Sequence, residues 1–188
     1  MEKSKRERIL EAALEMFVTN GFESSPTSKI AKSAGVATGT LFHYFKTKEV
    51  LINELYLEVK IEMVDSMRLG LLEAKTIRQK LECIWSNYIR WSLNNPASNK
   101  FFAMFGTSSY ISEATRQEGY SRFSFVAAIF QQGIEDEILK DISMDLMADV
   151  AFGLFSGTIA YFIKHPGDYD NEKIREKAFS VFWDAVKR

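Results

Sequence analysis

The chain has 188 residues, 46% of them hydrophobic and 26% charged, and a formal net charge of −1. That apolar content excludes disorder and supplies a sizeable core, and the length suits one small domain joined to a larger one. The lone cysteine, Cys83, rules out an internal disulfide, and its setting Leu81-Glu82-Cys83-Ile84-Trp85 reads as a helix lining in a reducing compartment.

Taken in chain order, the polar start Met1 to Arg8 lacks the apolar run of a signal peptide. Ile9, Ala12, Ala13, Met16 and Phe17 then recur at the spacing of one helix face, and Asn20-Gly21 supplies a stop, predicting a helix from about Lys5 to Asn20. Thr27–Val36 and Ala37–Lys48 form two short helical patterns hinged at Gly35. Thr27 is placed to cap the first of these, with Ile30, Ala31 and Ala34 inward; Gly35 supplies the positive φ of a tight turn, which Val36 seals. The second begins near Ala37 or Thr38. Its Leu41 and Phe45 point inward, while Thr38, Gly39, Phe42 and His43 fall on the outer side. This is the layout of a helix-turn-helix, whose second helix enters the major groove of DNA; the plainer alternative is a packed helical pair.

Beyond Lys48, the spacing of Val50, Leu51, Leu55, Val59 and Met63 predicts a long helix reaching toward Gly70. Ile77, Leu81, Ile84, Trp85 and Tyr88 predict another over about 75–94, ended by Asn94-Asn95-Pro96. One short helix and a loop are expected between Ala97 and Tyr110. Single helices are expected over about 112–135, 143–164 and 171–187. No strand pattern competes, so the fold class is all-α. The expected division is residues 1–47 as a three-helix helix-turn-helix domain and 48–188 as a helical body. Residues 1–50 carry eight Lys and Arg against six acids, whereas the rest of the chain is net acidic. A basic head on an acidic body suits one DNA-facing end, although the terminal cluster also reads as a solvated tail.

Arg8-Ile9-Leu10-Glu11-Ala12-Ala13 with Phe17, Asn20-Gly21-Phe22, and Thr27 to Lys48 with Leu51 resemble the TetR family of bacterial and archaeal transcriptional regulators. The resemblance implies an N-terminal DNA-binding domain, a C-terminal ligand-binding and dimerisation bundle, and repression relieved by a small molecule. It makes Thr27, Thr40, Tyr44 and Lys48 phosphate contacts, Thr38, Gly39, Phe42 and His43 base-reading positions, and adds Lys29 to the DNA-facing set. Many relatives place a capping serine where this chain has Ala37, so Thr38 is expected to cap instead. The reading face lacks Arg, Asn and Gln, the usual bidentate readers of bases. Recognition is therefore expected to lean on phosphates, on Phe42 near thymine methyls, and on DNA shape.

In the body, Trp85, Tyr88, Trp91, Phe102, Phe105, Tyr110, Phe123, Phe130 and Phe155 either fill a core or line a pocket, with Asn87 and Arg90 at its edge. Gly153, Gly157 and Ala160 share one helix face. Glycines cost helix propensity, so a close approach is implied, either within one subunit or between two. The resemblance favours the second, a four-helix bundle with Ile174, Ala178, Val181 and Phe182 of the last helix.

His43 and His165 stand apart from any nucleophile or acid–base partner, and no metal-ligand spacing appears, so neither an enzyme, a metal site nor a cofactor is expected. No stretch is read as long and apolar enough to span a membrane, and a cytoplasmic location is expected. The combined expectation is a homodimeric repressor released from a pseudo-palindromic operator by a small apolar or amphipathic ligand. A helix-turn-helix regulator governed by a protein partner or by no effector, and a helical lipid carrier, are the alternatives.

Overall fold

The computed structural model describes residues 3–188; Met1 and Glu2 of the polar start lie outside the described residues. Eleven helices and no strand occur among them, with one isolated antiparallel bridge between Leu139 and Lys187. The all-α expectation is met. Two compact units divide the chain, one running to Glu62 and taking in Asn95–Ser121, the other comprising Met63–Asn94 and Arg122–Arg188.

The first unit starts with α1 (Lys5–Asn20), which Ser4 and Glu7 begin by reciprocal capping: Ser4 Oγ accepts from the Glu7 N–H, and the Glu7 carboxylate accepts from the Ser4 N–H. The hydrogen bond from the Ser4 backbone N–H, and after it the Ser4 hydroxyl, holds the Glu7 carboxyl below its ordinary range. Gly21 ends the helix at φ 78°, and its N–H donates to Phe17 O. Ser25, fully buried, places its one hydroxyl proton between Gly21 O at 2.6 Å and Met16 O at 3.0 Å, fixing the corner that follows.

After that corner come α2 (Thr27–Ser33), α3 (Thr38–Tyr44) and α4 (Lys48–Arg68), of which the residues from Met63 on belong to the second unit. Thr27 does not cap α2; Pro26 occupies the cap position, with no side-chain bond. A proline with φ −68° is already shaped for a helix start, which leaves the Thr27 hydroxyl uncommitted to that cap. Thr38 likewise does not cap α3, because Ala37 takes the extended cap conformation and Thr38 is the first helical residue. The turn between them closes as expected on Gly35 at φ 65°, with the Val36 N–H donating to Ala31 O. Also in this unit are α6 (Pro96–Phe105), which packs on α1, and α7 (Glu113–Ser121).

The second unit is built around α5 (Ile77–Asn94), against which α8 (Ser124–Glu135), α9 (Met144–Lys164) and α11 (Glu172–Val186) pack. Trp85, Phe162 and Phe179 are among its fully buried side chains. Buried Asn87 donates to Leu69 O and Met67 O, and the Cys83 thiol to Leu69 O at 3.0 Å, so α5 satisfies carbonyls at the end of α4. Burial pushes the Cys83 thiol above its ordinary pKa. Gly133 is required by packing: a Cβ there would lie 2.5 Å from Leu139 Cδ1 and 3.1 Å from Ile77 Cγ2.

Two helix boundaries differ from expectation. The single helix over 112–135 is two, broken at Arg122–Phe123. Ser121 Oγ takes Glu118 O, and Arg68 Nη2 reaches Arg122 O at 3.5 Å, so side chains compete with the helix ladder there. A short α10 (Pro166–Tyr169) follows His165, where Pro166 starts a new turn.

Candidate nucleic-acid interface

Helices α2 and α3 are held by their inner faces. Ile30, Leu41 and Phe45 are fully buried and Ala31 nearly so, whereas Lys29, Thr38, Gly39, Phe42, His43 and Tyr44 are exposed, with Thr27 and Thr40 half-buried. Phe42 and Tyr44 leave about two-fifths of their surface in water, 40% and 42%. An apolar ring held on a seven-residue helix without a covering neighbour is a surface made for contact. His43 lies edge-on to Tyr44, with ring centroids 5.5 Å apart. The outer face presents hydroxyls, an imidazole and two aromatic edges, and among its residues no bidentate side chain.

Arg6 fastens this layer to α4. Its guanidinium donates to Glu58 at 2.6 Å and Glu54 at 2.7 Å and sits 5.6 Å from the Phe45 ring centroid. Lys3 pairs with Glu11 at 2.8 Å. The N-terminal basic cluster is thus partly tied to the domain's own acids.

Lys48 behaves differently from the simple phosphate contact that the sequence suggests. Half-buried at the start of α4, its ammonium donates to Phe22 O and, at 3.5 Å, to Glu23 O, and lies 4.2 Å from the Phe22 ring centroid. Two of its three N–H donors therefore hold the α1–α2 corner. Sequence reading also missed Asn53, whose side chain donates to Tyr110 O and accepts from the Ser112 N–H, both at 2.9 Å. An asparagine amid the apolar spacing of α4 is the signal that could have found it, since such a residue weakens a helix unless its amide is used.

The nine aromatics read as a pocket lining do not form one set. Phe102, Phe105 and Tyr110 belong to the first unit; Trp85, Tyr88, Trp91, Phe123, Phe130 and Phe155 belong to the second. Phe105 is buried with its ring 6.3 Å from Phe17, and Tyr110 stacks on Phe22 at 4.3 Å, so these two extend the packing of α1. Phe102 meets Tyr56 edge-on at 5.5 Å. In the second unit Tyr88 lies 6.3 Å from Trp91 and 5.4 Å from Phe155, and Trp85 packs edge-on to Phe179. Asn87 and Arg90, expected at a pocket edge, instead bond one another beneath α4. A cleft of about 190 Å³ lies between α5 and α11, lined by Glu82, Trp85, Ser86, Glu172, Arg175, Glu176 and Phe179; it shares only Trp85 with the expected set.

On α9, Gly153, Gly157 and Ala160 are exposed, and a Cβ built at either glycine would meet nothing within 4 Å. Packing inside one subunit therefore does not explain them. Phe152 and Ile163 on the same helix and Val181 on α11 are 56%, 57% and 60% exposed, and Ile174 and Ala178 are half-buried. Phe182 is a correction: only 2% exposed, it turns into its own chain's core against Phe155 and Phe179. A second correction concerns α9 as a whole, which by length and composition is apolar enough to cross a membrane, with 22% of its apolar window buried. The glycines and the Asp145 and Asp149 interruptions hid that run from a reading by periodicity.

Comparison with known proteins bears on the same segment. The family model for bacterial regulatory proteins of the tetR family matches residues 9–55. A solved structure from Shewanella sp. PV-4, described as a tetR family transcription regulator, is 33% identical, covering 99% of this chain and 100% of that one with a TM-score of 0.92. The fatty acid metabolism regulator protein of Bacillus subtilis (strain 168) is 26% identical over 172 residues, 90% of this chain and 89% of that protein. The structure of FadR from Bacillus subtilis in complex with stearoyl-CoA shares the fold, with a TM-score of 0.76 at 24% identity over 94% of this chain and 96% of that one. With its helix-turn-helix in place and a relative matched from end to end, the chain belongs to the TetR family of transcriptional regulators.

Proposed function

We propose that the chain acts as a homodimeric repressor whose paired α3 helices occupy successive major grooves of a pseudo-palindromic operator, and which an amphipathic ligand releases. The observation that carries this reading is the outer face of α3, exposed at Thr38, Gly39, Phe42, His43 and Tyr44 while Leu41 and Phe45 are fully buried. In it, Thr38, Gly39, Phe42 and His43 read base edges, and Thr27, Lys29, Thr40, Tyr44 and Lys48 position the phosphate backbone. Residues 1–47 are the DNA-binding domain and 48–188 the effector and dimerisation domain. The uncovered small-residue face of α9 supports dimerisation, because a second copy could approach there as closely as the glycines allow. A chain so covered has no need of a membrane and suits the cytoplasm. A long-chain acyl-CoA is the first effector to test, since FadR of Bacillus subtilis is described in complex with stearoyl-CoA.

The test is fluorescence anisotropy with duplex fragments of the chain's own promoter region, with and without stearoyl-CoA, alongside light scattering for subunit number. Tight binding by a dimer that the thioester weakens supports the whole reading. A lone subunit that ignores every duplex at low salt refutes it. A regulator governed by a protein partner or by no effector is the second reading, since the aromatics expected to line one pocket are divided between the two units. DNA binding indifferent to acyl-CoA would point there.

A further inference from the structure

We propose that Tyr110 and Asn53 are positioning residues for operator binding, holding the α1–α2 corner so that Lys48 faces a phosphate. The proposal rests on the DNA-binding reading above and names the control point of that site. Phe22 and Glu23 are each contacted by both Lys48 and Tyr110. The Lys48 ammonium donates to both of their carbonyls and lies 4.2 Å from the Phe22 ring centroid. The Tyr110 ring stacks on Phe22 at 4.3 Å with 29° between planes, and its hydroxyl donates to Glu23 Oε1 at 3.0 Å. Whatever displaces Tyr110 therefore displaces the carbonyls that aim Lys48.

Tyr110 is itself held from α4. Asn53 Nδ2 donates to Tyr110 O and to Glu49 O, and Asn53 Oδ1 accepts from the Ser112 N–H. The main chain on both sides of buried Ile111 is thus pinned one and a half turns beyond Lys48. Phe105 continues the packing, 6.3 Å from both Tyr110 and Phe17. With two donors spent on the corner, the third N–H of Lys48 is the one left for a phosphate oxygen, and its direction is set by the other two. The α6–α7 connection thereby acts on DNA affinity without touching DNA.

The test titrates the full chain against a labelled random-sequence duplex over a range of KCl. Lys48→Ala is expected to weaken binding and flatten the salt slope by about one. Tyr110→Ala and Asn53→Ala are each expected to weaken binding roughly fivefold and flatten the slope similarly, the scale of one lost aromatic or polar contact. Tyr110→Phe, which keeps the stack, should recover most of the loss. Adding Lys48→Ala to Tyr110→Ala should cost little more. Circular dichroism checks folding, and Asn53→Ala carries the test alone if Tyr110→Ala fails to fold. Unchanged affinity in the Tyr110 and Asn53 variants, losses that add to that of Lys48→Ala, or no loss in Lys48→Ala overturns the positioning role and leaves the DNA-binding reading standing. No binding by the parent chain overturns both.

Discussion

Lys60 gives the first unit a stability that depends on pH in an unusual direction. The residue is only 8% exposed, with its ammonium among the rings of Tyr120 at 4.7 Å, Phe102 at 5.4 Å and Tyr56 at 5.5 Å. Burial lowers its pKa from 10.5 to about 8. The unfolded chain therefore binds this proton more tightly than the native one, and native stability should rise as pH climbs from about 8 toward 10.5. The full shift corresponds to about 3 kcal/mol, of which about 2 kcal/mol is recovered by pH 10. Attraction between the ammonium and the rings works against burial, so a net change of about 1–2 kcal/mol is expected. Tyr56 acts oppositely: burial pushes its hydroxyl up to about 12, so above pH 10 its ionisation removes stability. Urea unfolding of the parent chain and of Lys60→Met between pH 7.5 and 10 isolates the lysine. Lys60→Met should be the more stable at pH 7.5, and the gap between the two curves should narrow steadily toward pH 10. Parallel curves would refute the burial argument.

Other outcomes follow from particular contacts. Gly133→Ala should lower stability by about 1–3 kcal/mol in urea unfolding, because its Cβ would overlap Leu139 and press on Ile77. Gly157→Arg should leave the helical circular dichroism unchanged, since nothing in its own chain meets that position, yet give a monomer by light scattering. An intact dimer would exclude this face as the interface. His43→Ala should change the sequences recovered by selection from a random DNA pool while leaving the salt slope unchanged. Unaltered preference would remove His43 from the reading face.

Much of the first unit was legible because its signals are local. The spacing of Ile9, Ala13 and Phe17 and the positive-φ glycines at 21 and 35 each depend on neighbours within one turn of chain, and the helices stand where these place them. Capping was less legible, since Pro26 and Ala37 precede their helices with extended backbone but no side-chain bond, and the threonines beside them looked better suited. The aromatics were the hardest to place. Periodicity says that Phe105 and Tyr110 face inward but not toward what, and only the long-range pairing with Phe17 and Phe22 places them in the first unit. For the same reason Phe182 and Val181, adjacent on α11, could not be sorted between core and surface until the ring contacts of Phe182 were known. At the break near Arg122 the Arg122 carbonyl faces Arg68, more than fifty residues earlier, a pairing that no window of sequence contains.

The tucked-in thiol at Cys83 has a practical use. Held on the Leu69 carbonyl and with its ionisation suppressed, it should react sluggishly with maleimides and methanethiosulfonates. A new cysteine at Leu72, 98% exposed, can then be tagged selectively without removing the native one. Spin labels at that position would report whether a second copy stands within range, and in the proposed dimer how far apart the copies lie with and without a nucleic acid, as a distribution rather than a single distance.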